Sequence, residues 1–452
     1  MAQSYNTEAD FGKSDPIDAT FDVLLLAQLG AYLQVFDDIF PDKRLSRLFK
    51  QAIKGILGAG VPIVSRMAAA VIHSKDPKRI FHVAKRYYRW LVNERFDHRA
   101  LLKPEYAQTR RLFAQEKSDY TLVILDFSNL EKPYGYKFEQ MCTLKASGLN
   151  TGPRRRNGKV PGYNELIGLA IGEKKAGLTF ATTISYQTEE FVSLNREIFR
   201  AIRYSHTILK GQKIRFICDR EFDDQKTFEF IVGLGEEFVF RIYRNRTLQL
   251  RYGNQVSEQL LDDVVEKINR RIRFDAHFKV GGRWRKCQVS LGYRKVWLPG
   301  HDHPYWLLVS QTAAIRQKWI LLTNVPVNSV KQARKIWFNY RRRWCVENAL
   351  RFLKKEGLRW EDFKVLSLEA IRRLVNLVLI AALFILNTKH YLDEPSVQFL
   401  LNLGGKLGLK SERDGPYLLL RGMQKFLICL NVLAVLKCHG LLDALLQVLE
   451  FL

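Results

Sequence analysis

Residues 121–128 read TLVILDFS, an apolar run that ends on an acid, Asp126. A short run of this kind, without helical spacing, is the pattern of a strand buried on both faces. The stretch KIRFICDREF (213–222) repeats it, with the acid Asp219 following a second buried run. Between the two, NELIGLAIG (164–172) and GLTFATTIS (177–185) read as a hairpin joined by EKKA, and EEFVSLNREIFRAIRYSH (189–206) as an amphipathic helix. After them, DDQKTFEFIVGL (223–234) reads as a helix and EEFVFRIY (236–243) as a strand. The order strand, hairpin, helix, strand, helix, strand predicts an α/β layered domain.

That order matches an RNase H-like mixed sheet, in which the first and fourth strands are neighbours. Asp126 and Asp219 would then meet at one end of the sheet. A third acid comes from KQARKIWFNYRRRWCVENALRFLKKEGL (331–358), which reads as one helix. At about 100° per residue, Tyr340, Arg343, Glu347 and Lys354 fall in a stripe roughly 60° wide. Val346, Ala349, Leu350 and Leu353 lie on the other side and can bury it. Three converging carboxylates repel one another unless divalent cations bind. Oxygen donors with water suit Mg²⁺ or Mn²⁺. Two such ions, roughly 3.5–4 Å apart, support in-line phosphoryl transfer. Taken singly, each acid reads as a cap or an ion-pair partner. The three in strand, strand and helix context, beside a cationic stripe, read as a metal site.

The bulk properties agree with a nucleic-acid substrate. The chain has 452 residues, enough for several domains, with 72 Lys and Arg against 46 Asp and Glu, a net charge of +26. Such an excess favours a polyanion partner. The six cysteines form no CxxC pair or Cys/His cluster, so reduced thiols and no zinc site are expected. The first twenty residues are polar and acidic, unlike a signal peptide. The longest apolar run, Leu374–Leu386, is too short to span a bilayer and suits a buried helix. A cytosolic, nucleoid-associated protein without membrane contact is expected.

Residues 1–115 read as a helical region. RLSRLFKQAIKGIL, VPIVSRMAAAVIH and DPKRIFHVAKRYYRWLVNE carry apolar residues at helical spacing. Asp76 would cap the last of these, with Pro77 at its first position. Its basic face, with Arg86 and Arg89, is a candidate DNA contact against the plainer reading of a solvated face. Residues 116–245 hold the first part of the core, including a Gly/Pro-rich loop with Arg154, Arg155 and Arg156. Residues 246–327 read as a strand-rich insertion, with one helical piece, SEQLLDDVVEKINRRI (257–272). Residues 328–365 return to the core, and residues 366–452 are helical.

Tyr340-x2-Arg343-x3-Glu347-x6-Lys354, with ILDFS, the following KPYGYKFE and CDREF, resembles the signature of the insertion-sequence-4 family of DDE transposases. The resemblance spans about residues 60–390. It implies that Asp126, Asp219 and Glu347 bind the metals, and that Tyr340, Arg343 and Lys354 contact phosphates of a transposon end. It also implies that the N-terminal helices bind terminal inverted repeats and that the C-terminal helices support a synaptic homodimer. Arg can grip a phosphate bidentately, Lys acts as a point charge, and a Tyr hydroxyl donates to a phosphate oxygen. Arg220 and Arg351 are further candidate contacts. Some relatives stack a flipped base on an aromatic of the insertion, for which Trp297 is the candidate here, although strand tryptophans are usually core. His301, Asp302 and His303 read as a turn.

The reading reached is a cut-and-paste transposase acting on double-stranded DNA. A structure-selective nuclease on the same fold would explain the acids and charge but not the cationic stripe. A domesticated DNA-binding protein without catalysis would tend to lose the acids by drift, and a purely structural protein would not need three of them facing one site.

Overall fold

The computed structural model describes residues 20–438 and 441, apart from 73–76, 116–117, 147–157, 174, 244, 254, 282 and 406–414. Asp76, Arg154, Arg155, Arg156 and residues 442–452 thus lie outside the described residues.

Five helices come first: α1 (Thr20–Gln34), α2 (Lys43–Ala59), α3 (Val64–Val71), α4 (Pro77–Leu91) and α5 (Lys103–Ala114). Asp42 caps α2, accepting from the N–H groups of Arg44 and Leu45 at 2.9 Å. Gly60, at φ +64°, closes it in the left-handed conformation that suits glycine.

The α/β part follows with β1 (Thr121–Glu131), β2 (Cys142–Lys145), β3 (Lys159–Ile171), β4 (Ala176–Ile184), α6 (Leu194–Ile208), β5 (Ile214–Cys218), α7 (Gln225–Gly233) and β6 (Glu237–Arg241). β3 pairs antiparallel with β4 and β1, and β1, β5 and β6 are mutually parallel. The spatial order β4-β3-β1-β5-β6 is the mixed sheet expected from the sequence. Helices α6 and α7 cover one face through Ile198, Ala201, Ile202, Phe228 and Ile231.

The strand-rich segment does not stand apart from this sheet. It contains β7 (Thr247–Tyr252), β8 (Gln255–Leu260), α8 (Leu261–Lys267), β9 (Ile272–Val280), β10 (Arg283–Trp297), β11 (Pro304–Thr312) and β12 (Ile315–Thr323). β12 pairs antiparallel with β6, so the sheet runs on through β12, β11, β10, β7 and β8 to twelve strands. The expected helix at 257–272 begins only at Leu261. Residues 257–260 are strand instead, because β8 ladders onto β7 from Tyr252↔Gln255 to Thr247↔Leu260.

The chain returns through α9 (Val330–Arg341), α10 (Trp344–Arg351) and a π-helical turn at Phe352–Glu356. It ends with α11 (Leu368–Leu386), α12 (Thr388–Tyr391), α13 (Glu394–Leu403) and α14 (Pro416–Cys438). The apolar run 374–386 lies in α11, where 16 of 19 residues are buried. Arg373 of α11 is buried too. It donates to the carbonyls of Leu91 and Phe96 at 3.0 and 2.9 Å and pairs with Glu369, so it caps the C-terminal end of α4. Helix α14 is long and apolar enough over Pro416–Ala434 to cross a membrane by length and composition, and 28% of that window is buried here.

Candidate active site

The register of β1 on β5 brings the two aspartates together. Ile124 lies opposite Ile217 in a parallel pairing. Two residues further along each chain come Asp126 and Asp219, so the acids sit side by side, about one strand spacing of 4.8 Å apart. Asp126 is not at a strand end as expected. It lies midway along β1, because β3 continues to pair with β1 as far as Glu131. Asp219 has left β5 and caps the turn Arg220–Phe222, accepting from the Arg220 N–H at 2.8 Å. Burial pushes the Asp126 carboxyl up to about 7, against the lowering effect of Arg343 and with Glu221, Glu347 and Asp219 adding to the rise.

The third acid does not come from one continuous helix, as the sequence predicted. The chain breaks at Arg342–Arg343, and the backbone there is held by short bonds from Arg343 N–H to the Tyr340 carbonyl and from Val346 N–H to the Arg343 carbonyl, both 3.0 Å. No Gly or Pro marks the break. Three successive arginines reach three different places instead. Arg341 donates to the His277 carbonyl of β9. Arg342 donates to the Gly172 carbonyl, after β3, at 2.6 Å. Arg343 enters the acidic cluster.

There the Arg343 guanidinium faces all three acids. Its Nη1 is 3.6 Å from Asp126 Oδ2, and its Nη2 is 3.8 Å from Asp219 Oδ2 and hydrogen-bonded to Glu347 Oε1. Its side chain is 10% exposed, and its Nε has no hydrogen-bond partner among the described residues. Burial alone would lower the guanidinium pKa, but Tyr340, Glu347, Asp219 and Asp126 outweigh it and raise it. Tyr340 is buried, and its hydroxyl lies 3.3 Å from Asp219 Oδ1. Burial, then Asp219, raises its pKa. Glu347 is the most open of the acids, with a side chain 43% exposed against 15% for Asp126 and 29% for Asp219.

Glu347 opens onto a cleft of about 840 Å³. Lys145, Arg351, Lys354 and Lys355 line it, together with Glu221 and Asn129. Glu221 was missed by the sequence reading. It follows Asp219 by two residues in DREF, and its pKa is raised by burial and then by Asp219. The repeated acid in CDREF is the signal that could have found it. Lys354 lies in the π-helical turn rather than on the α-helical stripe. Its Nζ is 3.5 Å from Glu361 Oε1, so it faces the cleft already paired.

Other candidates lie apart. Trp297 is on β10, four strands from β5 along the path β10-β11-β12-β6-β5, about 19 Å at strand spacing. It is flanked by Arg251 and Lys295 at 5.2 and 5.1 Å from its ring. Arg86 and Arg89 are exposed on α4, beside the exposed Phe81 and Tyr88. The Arg220 guanidinium stands 5.8 Å from the Tyr243 ring centroid. His301 bonds Glu229 and Gln225, and Gly300 at φ +78° marks the expected turn.

The donor set fits a hard divalent cation: three carboxylates, with a fourth at Glu221, and no soft ligand among them. As they stand, no three acidic, histidine or cysteine side chains among the described residues are gathered tightly enough to ligate one ion. The Arg343 guanidinium stands among the three acids, and Arg241 adds a second positive charge 3.9 Å from Asp219.

Residues 188–384 match a family model described as a transposase DDE domain. No curated protein matches the chain. Among solved structures, the chain is similar to a piggyBac transposase in a synaptic complex with hairpin DNA. The identity is 9% and the TM-score 0.44, over 88% of this chain and 81% of that one. The stretch similar to a transposase DDE domain contains Asp219, Tyr340, Arg343, Glu347 and Lys354.

Proposed function

We propose that the protein cleaves DNA at the ends of a mobile element and joins the freed ends to target DNA. The observation that carries this reading is the parallel β1–β5 register, which sets Asp126 beside Asp219, with Glu347 tied to both through Arg343. Asp126, Asp219 and Glu347 would hold two divalent ions, Mg²⁺ or Mn²⁺. When bound, such ions act as Lewis acids and lower the pKa of a coordinated water.

The chain's own residues position the DNA. The basic wall of the cleft, with Arg351, Lys354 and Lys355, receives the phosphate backbone. The Tyr340 hydroxyl orients Asp219. A water oxygen attacks the scissile phosphorus, the P–O3′ bond breaks, and the departing oxygen takes up a proton to become a 3′-hydroxyl. That hydroxyl then attacks a target phosphorus, releasing a target 3′-hydroxyl in turn. Two ends joined together require two active sites, hence a homodimer on DNA.

The test combines full-length protein, Mg²⁺, a labelled fragment bearing the element's own end, and a plasmid target. The wild type is expected to cut and join. Asp126→Ala, Asp219→Ala and Glu347→Ala are each expected to abolish both steps while end binding stays within a few-fold, because the site acts as a unit. Cleavage without joining by the wild type would replace this reading with a nuclease on the same fold. Mg²⁺-dependent cleavage retained by any one variant would remove that residue from the site.

A further inference from the structure

Arg343 stands on the oxygens that divalent ions would need. Its guanidinium approaches Asp126 Oδ2, Asp219 Oδ2 and Glu347 Oε1, one oxygen from each acid. The neighbouring arginines are anchored to backbone carbonyls at Gly172 and His277. They fix the chain at the break, while the Arg343 side chain is held chiefly by charge. Its Nη2 donates to Glu347, its contacts to Asp126 and Asp219 are longer than hydrogen bonds, and its Nε has no hydrogen-bond partner among the described residues. Beside it opens the cleft lined by Glu347, Arg351, Lys354 and Lys355.

We propose that Arg343 is a displaceable internal cation, which balances the three carboxylates in the metal-free protein and is drawn out by divalent ions and a DNA phosphate acting together. The proposal rests on the metal reading of the three acids. Ions on these carboxylates would set their double charges against the guanidinium, so metal binding alone must displace a buried cation from its counter-charges. A phosphate in the cleft gives that cation a new anionic partner. Metal and DNA therefore bind cooperatively, and by linkage each tightens the other by the same factor. Lys354 is less suited to this exchange, because Glu361 already neutralises it outside the cluster.

The experiment titrates Mn²⁺ by electron paramagnetic resonance into the full-length protein, alone and with a blunt DNA duplex. Wild type, Arg343→Gln and Asp219→Asn are compared, and thermal unfolding is followed with and without Mn²⁺. Arg343→Gln is expected to bind Mn²⁺ without DNA on the order of 10-fold more tightly than wild type. DNA should tighten Mn²⁺ binding by a similar factor in the wild type and little in the variant. Metal-free Arg343→Gln should melt below wild type and gain more from Mn²⁺. If it does not fold, Arg343→Lys, which keeps the charge but makes fewer contacts, should show the same tightening in smaller measure. Equal or weaker Mn²⁺ binding by the Arg343 variants, with binding still lost in Asp219→Asn, overturns the exchange and leaves the metal site standing. Mn²⁺ binding that survives Asp219→Asn unchanged overturns the metal reading, and the exchange falls with it.

Discussion

Asp126→Asn should make the metal-free protein less sensitive to alkaline pH. The wild-type carboxyl is pushed by burial from its ordinary 3.8 to about 7. Its folded-state pKa therefore lies above its unfolded one. The native state keeps a proton that the unfolded chain releases, so stability falls as pH rises through the window between these values. Above that window the cost is fully present. The whole gap corresponds to roughly 4 kcal/mol, and the part expressed between about pH 5 and about pH 8 is roughly 2–3 kcal/mol. Asparagine keeps the shape and removes this contribution. For a chain of this size the difference amounts to about 2–3 °C in melting temperature. The assay is thermal unfolding in chelator at the two pH values, for wild type and variant. The wild type should lose about that much more than Asp126→Asn on going to the higher pH. The other carboxylates are present in both proteins, so the difference reports position 126 together with its coupling to them. Equal pH dependence in the two would refute the argument, and would mean that Arg343 fully compensates the buried charge.

Two further outcomes are expected. DNA affinity should fall steeply as salt rises from low to physiological levels, because each phosphate neutralised contributes about 0.9 to the logarithmic slope. A flat dependence in a fluorescence binding titration would contradict a phosphate-dominated interface. Trp297→Ala should leave end cleavage within a few-fold of wild type, because β10 lies four strands from the aspartates. A large loss of cleavage in a gel assay, with end binding intact, would show that a base travels to this tryptophan.

The core was legible where burial on both faces leaves a simple mark. TLVIL and IRFIC lie between β-sheet neighbours under helices, so every position is buried and most are apolar; the buried Arg215 is matched by Glu237 on the next strand. The hairpin of β3 and β4 was legible for the same reason. The helix break at Arg342–Arg343 was not, because nothing local imposes it. The apolar spacing continues across it, and the break follows from where three arginines find distant partners. The strand at 257–260 was hidden likewise: SEQL has no strand-like alternation and is recruited by its ladder to β7. Glu221 escaped because a carboxylate beside another reads as solvated until the turn Arg220–Phe222 folds it over the cleft.

The continuity of the sheet explains what the strand-rich segment contributes to the site. Trp319 on β12 touches residues on both sides of the helix break: Trp337 and Tyr340 of α9 at 5.5 and 5.0 Å, and Trp344 of α10 at 5.9 Å. Phe274 and Phe278 of β9 complete the support against Trp337 and Trp344. The Trp337 indole N–H donates to Ser310 Oγ of β11 at 3.0 Å, which ties α9 to a second strand of the segment. The segment's strands therefore brace α9 and α10 on both sides of the break from which Arg343 and Glu347 reach the aspartates. Trp319, Phe274 and Phe278 thus serve as a bed for the helices, while Trp297, the stacking candidate, lies beside Arg251 and Lys295 instead. The chemistry stays at the β1–β5 junction, and the segment's part in it is to hold the third acid and its arginine against the two aspartates.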